Sequence, residues 1–274
     1  MVNSIKISPK QHVGNSVYFV ETSKKVSFDQ FLVEHLGSFG RYQFLQFLLV
    51  CIPSAFVAMH VMSWTFVALQ SDEICTNSTT GIDCQTIRYS AVDRWDLQGN
   101  RAWIKATVQS FYYVGHMIGA LLWGITSDKI GRKRAFYIAI ATQIICGALL
   151  VVAPTWWLFA VLKLGTGVAH PGIFAVGVVL GTELLGAKWR RLAAVGTGFT
   201  SGVGELILVL VAYLTYDYRI IHVVIVAPSL IFFTYWWLVP ESLRWLVAKG
   251  RRDEADRILH KAARMNRSRI PDQW

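Results

Sequence analysis

The chain has 274 residues and a formal net charge of +10, and it is 54% hydrophobic but only 16% charged. Soluble domains carry about 25% charged residues, so the composition argues against an ordinary soluble domain and favours several membrane spans. Basic residues retained on the cytoplasmic side, next to anionic lipid, account for the positive charge, and no nucleic-acid partner is expected. The first forty residues lack the apolar core of a cleavable signal peptide, so we expect the first apolar run to act as an uncleaved signal-anchor.

Six apolar runs predict six transmembrane helices. Four of them contain no Asp, Glu, Lys or Arg, and the other two contain only Lys163 and only Glu205. Each is long enough to cross the hydrocarbon core, which takes about 20 helical residues, and a helix satisfies every backbone group within the segment. The predicted fold class is therefore an all-α membrane protein with a six-span bundle over residues 44–239. The runs are 44–69, 106–126, 135–153, 157–180, 192–212 and 220–239.

Basic residues are distributed unequally between the two sides of this predicted bundle. With the amino terminus inside, the outer side carries only five of the 27 lysines and arginines, namely Arg88, Arg94, Arg101, Lys105 and Arg219. The positive-inside rule then predicts a cytoplasmic amino-terminal tail at 1–43, an extracellular loop at 70–105 and a cytoplasmic tail helix over 240–274. Both termini are expected to be cytoplasmic.

The expected extracellular loop contains two cysteines and a glycosylation sequon. Cys75 and Cys84 either form a disulfide, as an oxidising compartment allows, or stay free thiols. Asn77 begins the sequon, although its closeness to the first span limits access for the modifying enzyme.

The most specific motif follows the second run, at residues 124–134 (GITSDKIGRKR). Gly124 lets another helix approach closely, and Gly131 permits a tight turn. Asp128 can accept from a helix amino terminus and pair with a cation, while Arg132 is a bidentate donor for an acidic partner. An ordinary basic loop does not need both glycines and the aspartate at these spacings.

This segment resembles the signature loop of the major facilitator superfamily. Glu183 and Arg190 after the fourth run, and residues 240–246 (PESLRWL) after the sixth, resemble cytoplasmic motifs of sugar porters and organic cation/anion transporters. The resemblance implies one half of a major facilitator fold, the amino-terminal one. It also implies an inner ion-pair network that holds two halves together while the outside is open. The expected members of this inner-gate network are Gly124, Asp128, Gly131, Arg132, Lys133, Glu183, Arg190, Glu241 and Arg244.

Four further segments resemble the organic cation/anion transporter (solute carrier) family in particular. They are 37–43 (GSFGRYQ), 93–97 (DRWDL), 217–219 (DYR) and 262–266 (AARMN). A long, cysteine-bearing outer loop separates that family from sugar porters. This chain departs from the family in a shorter loop, in Gln98 and Gly99 after the Trp-Asp-Leu run, in Lys163 where an arginine is usual, and in Leu243 where the second proline is usual.

Polar residues inside the predicted spans are candidates for a substrate cavity, because burying them is costly. Lys163 either lines the central cavity or braces the bundle against another helix. Glu205 either pairs with Lys163, receives an incoming cation or is a satisfied structural ion pair. Tyr112, Tyr113 and His170 are further candidates, against the alternative of lipid or helix contact.

No nucleotide loop, metal-ligand cluster or nucleophile with a base is visible in the sequence, so no enzyme activity, cofactor or metal is expected. The resemblance implies transport of small organic ions by alternating access at a midplane site, incomplete as a single half. The expected partners are membrane lipid, the organic ion and a second six-span half or a second copy. The expected location is the plasma membrane. The alternatives are a non-transporting regulatory membrane paralogue and a sugar porter half.

Overall fold

The computed structural model describes residues 11–13, 16–18, 32, 34–37, 39–69, 90–183, 185, 189–215, 217–268 and 270. Near the amino terminus, β1 (Gln11–Val13) pairs antiparallel with β2 (Ser16–Tyr18). All other regular structure in the described residues is helical. The helices are α1 Arg41–Val67, α2 Ala91–Trp95, α3 Trp103–Ile130, α4 Arg132–Val152, α5 Trp156–Glu183, α6 Arg190–Leu214, α7 Tyr218–Ser229, α8 Tyr235–Leu238, α9 Leu243–Ala248 and α10 Arg252–Asn266, with 3-10 segments at Gly99–Arg101 and Leu230–Thr234.

Helical structure covers the six apolar runs apart from Ala68, Leu69, Ala153 and Val239 at their ends, which confirms the all-α membrane fold class. Within the described residues, five helical segments are long and apolar enough to cross a membrane: α1, α4, α5, α6 and the continuous stretch Tyr218–Leu238. Helix α3 is 28 residues long but is not among these five, so the count of six spans stays a prediction. The last span runs through a 3-10 segment just after Pro228, a residue that cannot donate a helical hydrogen bond.

Helix α5 is the centre of the bundle, with α1, α3 and α4 packed along it. The α3–α5 contact is close because glycines face backbone. A Cβ at Gly115 or Gly119 would overlap the carbonyl oxygens of Leu164 and Val168, and one at Gly167 would overlap that of Tyr112. The Gly-xxx-Gly spacing in the second run predicts this close packing.

At the end of the bundle that carries α2, called the α2 end, the described part of the expected loop is largely helical and packs against the bundle. Residues 70–89 lie outside the described part, but α2 and the start of α3 occupy the rest of the expected loop 70–105. The indole nitrogen of Trp64 donates to the Lys105 carbonyl at 3.1 Å, and that of Trp95 donates to the Pro154 carbonyl at 3.2 Å. Buried apolar side chains such as Leu97 draw this segment onto the bundle.

The opposite end, called the α10 end, is covered by a second apolar cluster. Its buried members are Leu32, Leu36, Tyr42, Leu243, Trp245, Leu246, Ala255, Leu259, Ala262 and Ala263. The apolar face of α10 is therefore buried against α9 and the residues before α1. That burial stabilises α10 as part of the bundle.

Candidate functional site

Arg132 joins three helices at the α10 end. Its guanidinium Nη2 lies 3.0 Å from the Asp128 carboxylate on α3, and its Nε lies 3.5 Å from the Glu183 carboxylate at the end of α5. The Asp128 side chain is 71% exposed, whereas those of Arg132 and Glu183 are 18% and 14% exposed. The Arg132–Glu183 contact is therefore the better shielded of the two and less screened by solvent.

Glu241 lies against the first turn of α4. Its Oε1 accepts from the backbone amides of Lys133 at 2.9 Å and Ser242 at 3.0 Å. The first amides of a helix have no partner within the helix and favour an anion. Gly131 has a φ of 109°, and a Cβ there would overlap the other oxygen of Glu241. Glycine therefore serves both the turn and the close approach of the carboxylate.

Two further contacts stabilise the turn between α3 and α4. The indole nitrogen of Trp245 on α9 donates to the Asp128 carbonyl at 3.0 Å. The ammonium group of Lys133 lies 5.1 Å from the centre of the Trp236 ring, within the range of a cation–π contact. The turn between α3 and α4 is thus held by residues of α5, α8 and α9.

The structure brings together Asp128, Gly131, Arg132, Lys133, Glu183 and Glu241 from the expected inner-gate network. Arg190 begins α6 and Arg244 lies in α9, both at the α10 end. Burial lowers the pKa of the Arg244 guanidinium. At Gly124 no described atom of another element lies within 4 Å of the Cβ position, so no helix of the described residues occupies the space that this glycine leaves.

Lys163 is buried, with 1% of its surface exposed. Its ammonium group donates to the His60 carbonyl at 3.0 Å and the Ser63 hydroxyl at 2.8 Å, both on α1. Glu205 is half-buried on α6, and among the described residues no ion pair joins it to Lys163. Lys163 therefore braces α5 against α1, and the contact with Glu205 is not formed.

The aromatic candidates differ in exposure: one is buried between helices, and the others are partly or largely exposed. Tyr112 is 2% exposed, and its hydroxyl lies 2.6 Å from Nδ1 of His170 on α5, so it connects α3 to α5. Tyr113 is 55% exposed, and His170 is half-buried, with its ring 4.6 Å from that of His116. Tyr113 is therefore largely exposed and His170 partly so. Cys75, Cys84 and Asn77 lie outside the described residues.

Asn266 has a positioning role that the sequence did not reveal. Its side-chain oxygen accepts from the Tyr42 amide at 2.9 Å, and its side-chain nitrogen donates to the Leu36 carbonyl at 3.0 Å. The end of α10 thereby caps the start of α1. This contact joins the segments 37–43 and 262–266, and the Arg94 guanidinium likewise donates to the Tyr218 hydroxyl. The four segments that resemble organic ion transporters thus meet in two pairs, one at each end of the bundle.

Known proteins resemble both the sequence and the fold. An organic cation transporter protein of Drosophila melanogaster is 29% identical, over 88% of this chain and 54% of the relative. Organic cation/carnitine transporter 4 of Arabidopsis thaliana is 30% identical, over 92% of this chain and 51% of the relative. A partially occluded inward-open structure of the xylose transporter XylE from E. coli superposes with a TM-score of 0.62, at 19% identity over 80% of this chain and 53% of that chain.

The chain spans about half the length of the curated relatives it matches. Identity to the xylose transporter is low, so that likeness shows the fold alone. The relatives are named as organic cation and organic cation/carnitine transporters, which confirms the family resemblance drawn from the motifs. Residues 54–273 match the family described as sugar (and other) transporter. The chain therefore belongs to the sugar (and other) transporter family, within the major facilitator superfamily.

Proposed function

We propose that this bundle is one half of a transporter that moves small organic ions across the membrane by alternating access. The observation that carries the proposal is the Arg132 contact with Asp128 and Glu183, which ties the ends of α3, α4 and α5 at one face. A rigid end of this kind lets a bundle rock as one body around a midplane site. The relatives named as organic cation transporters support the choice of substrate class.

Transport then requires a second six-span bundle, either another half or a second copy of this chain. Gly124 on α3 and both Gly198 and Gly202 on α6 leave open space: no described atom of another element lies within 4 Å of their Cβ positions. Small residues of this kind let another helix approach closely in a membrane. Large apolar side chains of α6, such as Phe199 and Leu206, are also exposed, so a partner bundle has an apolar face to cover.

The polar residues that face outward suit a cationic substrate better than an anionic one. Glu205 is half-buried, and no described cation lies within ion-pair distance of it. Tyr113 adds an exposed aromatic ring, and aromatic faces attract organic cations. Lys163, the one intramembrane cation among the apolar runs, is enclosed by α1 and α5, so its ammonium group does not contact a cation in the cavity.

We propose a plasma-membrane location with both termini in the cytoplasm. The α10 end carries the basic turn at Lys129, Arg132, Lys133 and Arg134, together with the basic residues of α10. The α2 end carries fewer basic residues within the described part, namely Arg94, Arg101, Lys105 and Arg219. This asymmetry favours the α10 end as the cytoplasmic one.

Uptake by cells that express the chain tests the proposal. We expect saturable uptake of radiolabelled tetraethylammonium above that of mock cells. If the Glu205 carboxylate pairs with the cation, the uptake rate of a Glu205→Gln variant should fall at least about tenfold. The matched control is Asp253→Asn, an exposed carboxylate on α10, which should transport normally. Uptake of xylose but not of organic ions would favour a sugar porter. Absence of uptake together with co-purification of a full-length carrier would favour the regulatory paralogue.

A further inference from the structure

A pocket of about 310 Å³ lies at the α10 end, between the first turn of α4, α8 and α10. Its wall contains four cations and two acids, namely Lys133, Arg134, Arg251, Arg257, Glu241 and Glu254. Its volume is at the lower end of the range for small-ligand pockets, about 300–1,000 Å³. It is separate from the Arg132–Glu183 contact.

Both acids in the wall are engaged by groups of the chain itself. Glu241 accepts from the Lys133 and Ser242 amides, and Glu254 pairs with Arg251. Among the described residues, no carboxylate oxygen lies within ion-pair distance of the cationic groups of Lys133, Arg134 or Arg257. Lys133 packs over the Trp236 ring and the Arg257 Nε donates to the Asp253 carbonyl at 3.3 Å, but neither contact neutralises a charge. The pocket wall therefore holds three cations without a carboxylate partner among the described residues, and a phosphate offers the acceptor oxygens that such a group binds best.

The pocket also has an apolar wall where the last span ends. Trp236 is 40% exposed, and its ring contacts Tyr137 edge-on at 5.0 Å. Trp237 beside it is 75% exposed. Aromatic side chains of this kind lie at the level of lipid headgroups, and basic pockets between transmembrane helices on the cytoplasmic side bind anionic headgroups. A lipid can therefore place its headgroup in the pocket while its chains remain beside the span.

We propose that the pocket between α4, α8 and α10 binds a phosphate group, and that the headgroup of an anionic lipid in the adjacent leaflet supplies it. The bound lipid would connect α10 to the membrane through Arg257 while neutralising Lys133 and Arg134. The proposal requires no transport activity, so its test is independent of the proposed function.

Native mass spectrometry of the detergent-purified chain measures this binding. The chain is titrated with phosphatidylinositol 4-phosphate, with phosphatidylcholine and with inorganic phosphate. We expect retention of the phosphorylated lipid but not of phosphatidylcholine. The double variant Arg134→Gln/Arg257→Gln should bind the phosphorylated lipid roughly tenfold more weakly, because each cation near an anionic headgroup strengthens binding severalfold.

A matched double variant, Arg191→Gln/Arg252→Gln, removes the same charge from exposed residues outside the pocket and should bind as the wild type does. The conservative variant Arg134→Lys/Arg257→Lys should retain most of the binding. Equal losses of lipid binding in the two glutamine variants would overturn the proposal, because binding would then depend on the overall positive charge and not on the pocket. If inorganic phosphate bound tightly and excluded the lipid, the proposal that a lipid headgroup supplies the phosphate group would be overturned.

Discussion

The Nε of Arg132 lies 3.5 Å from the Oε1 of Glu183, and this contact connects the first residue of α4 to the last residue of α5. The two residues are 51 positions apart in the sequence and belong to different spans. Both side chains are largely shielded from solvent. Arg132 also pairs with Asp128, but among the described residues it is the one cation within ion-pair distance of Glu183, so the Glu183 carboxylate depends on it.

An Arg132→Gln variant should lower the free energy of unfolding by about 1–3 kcal/mol, because it leaves a shielded carboxylate without a charged donor. Thermal and denaturant unfolding of the purified chain in detergent measure the change. The matched control is Asp128→Asn, which removes the other partner of Arg132 at a position whose side chain is 71% exposed. It should change stability by no more than about 1 kcal/mol. Equal effects of the two variants would contradict this account.

A Gly131→Ala variant should destabilise the turn between α3 and α4 by about 1–3 kcal/mol, the cost of holding a residue other than glycine in a positive-φ region that side chains rarely adopt. The new Cβ would also displace the Glu241 carboxylate. Gly124→Ala is the same substitution at an open position on α3 and should leave stability within about 0.5 kcal/mol. The same unfolding measurement distinguishes them, and a larger loss for Gly124→Ala would show that the assignment of strain is wrong.

A Ser63→Ala variant should cost about 1–2 kcal/mol, because the buried Lys163 ammonium group loses one of its two acceptors. Lys163→Met removes the buried charge and keeps a side chain of similar length, so it should cost less than Ser63→Ala or stabilise the bundle. Both are read from unfolding in detergent. A loss well above that of Ser63→Ala in the methionine variant would mean that the charge itself stabilises the bundle.

The positions of the helices could be predicted from the sequence, since long apolar runs permit little else. The run 157–180, for example, lies within α5 Trp156–Glu183. The proximity of Arg132 to Glu183 followed from motif resemblance. The partners of Lys163 could not be predicted, because they depend on how α1 is rotated about its axis. The contact of Asn266 with Tyr42 spans 224 positions, and no local spacing rule indicates it.

The topology predicts which residues react with a membrane-impermeant maleimide on intact cells. Cys75 or Cys84 should be labelled from outside after mild reduction, because the loop 70–105 is expected to face outward. In a chain with its native cysteines replaced, Lys129→Cys, at an exposed position in the last turn of α3, should react only after the cells are permeabilised. Labelling of Lys129→Cys in intact cells would show that the orientation is the opposite of the one predicted.

Reconstitution of the purified chain in liposomes measures most directly whether this bundle needs a second one. Uptake of radiolabelled tetraethylammonium is followed while chemical crosslinking fixes the oligomeric state. Alternating access requires two bundles that move against each other around one site. We therefore expect no saturable uptake by verified monomers, and saturable uptake only in vesicles where the chain is cross-linked to a second bundle. Saturable uptake by verified monomers would contradict the account.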